Sequence, residues 1–190
     1  MDARMMADRS KDDMLILVDG LDRPVGVATK LRAHTECLLH RAFSVVLVRD
    51  GVRGPELLLA QRAQGKYHSG GLWANSCCSH PRVGEGLIEA AERRVPEELG
   101  CSAEGLREIG SFAYRAMFDS GLWEHEYDHV LVGRCSGEPR PDPLEVASVR
   151  WVGVDDLARE LAAHPQRFSA WAPMVLSLAL ADLVREQPTS

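Results

Sequence analysis

Apolar residues recur along this chain in two rhythms, and the alternation between them lays out the elements. The runs LILV (15–18) and VGVATK (25–30) flank DGLDRP, where Gly and Pro break any helical pattern, so they predict two short strands around a turn. FSVVLVR (43–49) and ELLLAQR (56–62) enclose DGVRGP and predict a hairpin with a longish loop. Between Gly84 and Gly100 the spacing lengthens to helical steps, with Leu87, Ile88, Ala91, Val95 and Leu99 on one face and a Gly as stop signal. Pro96 lies inside this stretch and predicts a kink or a broken last turn. IGSFAYRAMF, YDHVLVGRC and SVRWVGV read as further strands, and VDDLARELAAH and APMVLSLALADLVREQ as closing helices. Strands before and after a central helix imply an α+β fold, a mixed β-sheet flanked by helices.

Composition narrows the classes. At 190 residues, 45% of them hydrophobic, the chain suits one domain with a sizeable core, expected over residues 14–187 behind a polar extension of residues 1–13. No apolar run approaches the length of a membrane span, so no membrane partner is expected. A net charge of −6 argues against a general nucleic-acid binder, which needs clustered Lys and Arg, and leaves phosphate recognition local. The opening residues lack an apolar export core, and five cysteines is an odd number. Both favour the cytoplasm and disfavour a disulfide framework.

Candidate chemistry is concentrated in HTECLLH (His34, His40), CCSH (Cys77, Cys78, His80) and WEHEYDH (Glu124 to His129). Mixed histidines and carboxylates suit a divalent ion. The strand period of two puts Glu124 and Glu126 on one face and His125 on the other, so the glutamates can converge. Arg62 and Lys66 precede Cys78, and Arg93 and Arg94 follow it on the helix, a placement that suits a small phosphorylated substrate.

From Ser79 the spacing Ser79-x5-Glu85-x7-Arg93-Arg94-Val-x-Glu97-Glu98-x-Gly100 resembles the Nudix box, with Ser79 in place of the first Gly and Arg94 in place of a Glu. Losing that Glu weakens a diphosphate-hydrolase reading and keeps the fold. Over Leu15 to Trp171 the segments HTECLLHRAFSV, GLWANSCCSHPRVGE, AERRVPEELG, FAYRA, EHEYDH and FSAW are similar to the type I isopentenyl-diphosphate isomerases, Nudix-fold enzymes that do not hydrolyse their substrate. The resemblance implies a metal-dependent isomerase interconverting isopentenyl and dimethylallyl diphosphate through a tertiary carbocation. It assigns the working thiol to Cys78, the facing acid–base group to Glu126 as a proton source, and a supporting hydroxyl to Tyr114. It implies a Mn²⁺- or Mg²⁺-like ion at His34, His40, His80, Glu124 and Glu126, and Glu98 as a holder of Mg²⁺ against the diphosphate. Lys30, Arg62, Lys66 and Arg94 fall at its diphosphate-binding positions, and Trp171 where an aromatic face lines the carbon end. Basic or metal surroundings are expected to lower the Cys78 pKa. His34 and His40 enclose five residues, a shorter interval than the family commonly has, which is the basis for the alternative of a catalytically silent metal-binding homologue.

Overall fold

The computed structural model describes residues 14–186, so the expected extension at 1–13 and the expected domain end at Gln187 lie outside the described residues. Among the described residues nine strands and four α-helices follow in the order β1 (Met14–Val18), β2 (Pro24–Thr29), α1 (Lys30–Thr35), β3 (His40–Gly51), β4 (Gly54–Arg62), β5 (Trp73–Ala74), β6 (Cys77–Ser79), α2 (Leu87–Leu99), β7 (Ser102–Met117), β8 (Trp123–Ser136), β9 (Val146–Gly153), α3 (Val154–Ala163) and α4 (Ala172–Glu186). The expected α+β class and mixed sheet are what is found.

Strand β3 organises the sheet. Along one edge it meets β1, β6 and β4 antiparallel in succession, and along the other it runs parallel to β8 from His40↔Glu126 to Val48↔Arg134. Strand β8 continues antiparallel to β7, and β4 to β9. Successive β3 side chains point to opposite faces. Phe43, Val45 and Leu47 enter one core, packed under Ala90, Ala91, Val95 and Leu99 of α2. Val46 and Val48 enter the other, under Ala172, Val175, Leu176 and Ala179 of α4.

Three expectations need amendment. The β3–β4 hairpin is tight, with Gly51 opposite Gly54, so the loop is shorter than its composition suggested. Helix α2 keeps its last turn to Leu99 despite Pro96. That proline lies one turn from the end, where its carbonyl still accepts from Gly100, and Gly100 closes the helix in the left-handed region at φ 63°. Helix α1, unanticipated, begins on a Thr29 side chain that accepts from the Arg32 amide and carries His34 into the interior.

Candidate active site

Strand register assembles the site on the α4 face of the sheet. The β3–β8 register sets His40 beside Glu126, β7–β8 sets Tyr114 on its other side and Ala116 beside Glu124, and β3–β6 sets Ser44 beside Cys78. Side chains at paired positions share a face, so four strands contribute to one cluster. His125 points the other way and donates through Nδ1 to the Cys37 carbonyl at 2.9 Å, as the period of two predicts.

His34, His40 and His80 bring ligand atoms within 4.8 Å of one another, and His40, Glu124 and Glu126 do the same. His34 donates through Nδ1 to the Lys30 carbonyl (2.7 Å), and His40 through Nδ1 to the Leu38 carbonyl (2.8 Å). These bonds fix the tautomer and leave each Nε2 free to coordinate. His34 Nε2 lies 3.2 Å from Glu124, and His80 Nε2 2.9 Å from Glu126. Burial lowers the His80 pKa to about 4, which keeps the imidazole neutral. Burial also opposes charge on Glu126, but the His80 hydrogen bond and the nearby His40 ring outweigh it and hold the carboxyl well below its usual range. His40 Nε2 and Glu124 Oε2 are buried without a hydrogen-bond partner, an arrangement that a coordinated divalent cation satisfies. The five expected ligands therefore fit such an ion. The short interval between His34 and His40 is accommodated by Cys37, whose left-handed φ of 55° turns the chain sharply between α1 and β3. His34 thus joins the cluster, which removes the ground for a silent homologue.

Cys78 lies beside this cluster. Its thiol donates to Asn75 Oδ1 at 3.1 Å, its sulfur accepts from Trp171 Nε1 at 3.1 Å, and Ser44 Oγ lies at 3.4 Å. Loss of water around the partly buried sulfur, with the Asp128 carboxylate nearby, pushes its pKa up to about 12, the reverse of the lowering expected from its basic surroundings. The residue is a thiol, not a thiolate. The Tyr114 hydroxyl donates to Glu126 Oε2 at 2.5 Å. Tyr114 is thus placed to support the Glu126 carboxyl through its hydroxyl.

Of the residues expected to bind diphosphate, Lys66 pairs with Glu145, and Arg94 with Glu97 and Glu98. Glu98 is buried with its pKa raised by that burial, and lies apart from the five-residue cluster. Arg62 lies over the Trp171 ring, 5.1 Å from its centroid, and the Lys30 ammonium over Tyr67 at 5.5 Å. Glu85 and Arg93 bind each other at 2.7 and 2.8 Å at the start of α2. Arg94 occupies the position of the missing Nudix glutamate and pairs with Glu97 and Glu98. Cys77, adjacent to Cys78 in β6, points into the other core and is 2% exposed.

Sequence reasoning missed His68, Tyr67 and Ser44, and named Asp128 among the candidate residues without giving it a role. His68 is buried with Nε2 2.6 Å from Glu124, and the Tyr67 hydroxyl lies 3.4 Å from His34 Nε2. Asp128 accepts from Ser44 at 2.8 Å, and burial together with the Glu126 charge raises its pKa well above the carboxylate range. The period that placed Glu124 and Glu126 also places Asp128 on their face, so that residue was within reach. Tyr67 and His68 sit in a loop without periodicity.

The NUDIX domain family matches residues 38–172. A Deinococcus radiodurans protein of known structure, DR0079, superposes with a TM-score of 0.67 at 21% identity, covering 87% of this chain and 98% of that one, a likeness of fold. The chain is thus of the NUDIX-domain class, with a histidine–glutamate cluster able to coordinate a divalent metal. The isopentenyl-diphosphate Delta-isomerase of Burkholderia multivorans is 49% identical over 160 residues, 84% of this chain and 89% of that protein. The one of Photobacterium profundum is 47% identical over 174 residues, 90% and 97% of the two chains. The chain belongs to the isopentenyl-diphosphate Delta-isomerase family of the NUDIX superfamily.

Proposed function

We propose that the protein interconverts isopentenyl diphosphate and dimethylallyl diphosphate in the cytoplasm, with a Mn²⁺- or Mg²⁺-like ion at His34, His40, His80, Glu124 and Glu126 and Mg²⁺ accompanying the diphosphate near Glu98. The observation that carries this reading is the pairing, on one face of the sheet, of a protonated thiol at Cys78 with a carboxylate at Glu126 tied to Tyr114. Moving the double bond from C3–C4 to C2–C3 adds a proton at C4, leaves a tertiary cation at C3 and removes a proton from C2. Two groups are needed, one carrying a proton and one lacking it. Cys78 and the Glu126–Tyr114 pair are that complement, and they exchange states with each turnover and with the direction of reaction.

Trp171 stabilises the cation through its face, a contact of about 2 kcal/mol or more when desolvated. The guanidinium of Arg62 lies over the same ring. Its edge N–H meanwhile orients the Cys78 sulfur. When bound, the ion supplies a fixed positive charge that holds Glu124 and Glu126 in place and tunes the basicity of their oxygens. Lys30, Arg62, Lys66 and Arg94 anchor the diphosphate, Lys66 and Arg94 by exchanging Glu145, Glu97 and Glu98 for phosphate oxygens. Among the described residues no helix is long and apolar enough to cross a membrane.

Incubation of the metal-loaded protein with isopentenyl diphosphate in D₂O is expected to give deuterated dimethylallyl diphosphate, and a chelator to stop it. Absence of both product and exchange would sink the isomerase reading. Release of inorganic phosphate would point to hydrolysis instead.

A further inference from the structure

Lys66, Tyr67 and His68 are consecutive residues of the loop between β4 and β5 (63–72), and each reaches a different part of the site. Lys66 pairs with Glu145, Tyr67 meets His34, and His68 meets Glu124. The loop is a strap over the cluster, tied down at its base by the Gly71 amide on the Arg62 carbonyl and by Leu72 on Ser69. His68 makes the most contacts of the three. Its ring stacks on Phe118 with centroids 4.2 Å apart and planes 10° from parallel, and meets Trp171 edge-on at 5.8 Å. Nδ1 lies 3.2 Å from Ser69 Oγ, and the His68 carbonyl accepts from Arg62 Nη2 at 3.4 Å. Phe118 belongs to the turn between β7 and β8, closed by hydrogen bonds with Leu122 and Gly121. The stack therefore joins two separate loops, and His68, 7% exposed, sits where they meet.

This arrangement explains why a histidine occupies the position. A flat ring is required for the stack on Phe118, and a polar edge for Glu124; an aliphatic residue supplies neither and a carboxamide only the second. We propose that His68 is a positioning residue for the isomerisation, a latch that closes the β4–β5 loop onto Phe118 above Trp171 and holds the Glu124 carboxylate in its working orientation. It touches no reacting atom. The proposal rests on the reading of Glu124 as an ion ligand and of Trp171 as the cation-facing ring. Cys78 is partly exposed beside Trp171, and the stack narrows that access, which excludes water from the cation and keeps Glu124 in place.

The two halves of the contact can be separated in the full-length protein. His68→Phe keeps the ring and loses the polar edge. It is expected to leave alkylation of Cys78 by iodoacetamide, read by peptide mass mapping, within about twofold of the parent protein, while Mn²⁺ affinity falls about tenfold to hundredfold, as for other groups that orient a metal ligand. Phe118→Ala should do the reverse, with Mn²⁺ affinity nearly unchanged and Cys78 alkylated at least about tenfold faster. His68→Ala should show both effects, with kcat reduced about a hundredfold, the cost of small misplacement, and KM changed much less. Parent-like Mn²⁺ affinity in His68→Phe together with parent-like alkylation in Phe118→Ala overturns the proposal, and those two variants decide it even if His68→Ala does not fold. Mn²⁺ binding and alkylation need no turnover, so failure of the parent protein to isomerise in D₂O would count against the functional reading and not against the latch.

Discussion

The two faces of the central sheet are built from the same strands and obey opposite rules. Toward α2, strand β3 sends Phe43, Val45 and Leu47 into hydrocarbon, with Ala90, Ala91, Val95 and Leu99 fully buried above them. Toward α4 the same strand sends His40 and Ser44, and its neighbours add Glu124, Glu126, Asp128 and Cys78, within a rim of Trp171, Tyr114 and Val46. Burying ionisable groups costs several kcal/mol each unless they are paired or coordinate a metal. The α4 face therefore sets its ionisable groups beside a hydrocarbon core of its own, whereas the β3 side chains toward α2 are hydrocarbon alone. The adjacent cysteines divide along this line: Cys77 faces the hydrocarbon and Cys78 the charges, and burial raises both thiols above the ordinary range.

The sharpest way to break this contrast is to treat the two sulfurs alike. Cys78→Ala is expected to cut isomerisation about a thousandfold, within the range for loss of an acid–base group, and Cys77→Ala to leave it within a fewfold. Equal activities in the two variants, measured with labelled isopentenyl diphosphate, would dissolve the distinction. Leu99→Ala probes the hydrocarbon face: about 2–5 kcal/mol should be lost in urea unfolding, with kcat of the remaining folded protein retained. Tyr114→Phe probes the other face and should lower kcat about tenfold to hundredfold through one charge-assisted hydrogen bond, with the thermal midpoint nearly unmoved. A last effect is expected in acid. The folded pKa of His80, about 4, lies below the ordinary histidine value of 6.5, so the unfolded chain takes up this proton first. This contribution to stability is complete above pH 6.5 and is lost as pH falls toward 4. His80→Asn should flatten that part of the urea-midpoint profile, and an unchanged slope would show that His80 is not the group responsible.

Much of this division was readable from the chain alone. The alternation in FSVVLVR and the helical spacing from Leu87 to Leu99 gave the hydrocarbon face, because burial imposes periodicity directly. The convergence of Glu124 and Glu126 followed from the same arithmetic, and the roles of Cys78 and Trp171 were implied by family likeness. Pairing was not readable: that β3 runs parallel to β8, setting His40 beside Glu126, depends on contacts between distant segments. Protonation was not readable either. The thiol of Cys78 is governed by exclusion of water, which becomes visible only once Trp171, Asn75 and Ser44 surround it. Tyr67 and His68 escaped because loop residues acquire partners through tertiary closure, with no local repeat to announce them.

The parallel pairing of β3 with β8 also sets a timetable. His40 and Glu126 come from distant parts of the sequence, and their adjacency exists only after α2 and β7 have been laid down between them. Loop closure of that length is slow compared with formation of helices and hairpins. A refolding chain is therefore expected to acquire its hydrogen-bonded hairpins, β1–β2 and β3–β4, before its histidine–glutamate cluster, and the onset of divalent-metal binding becomes a clock for completion of the sheet.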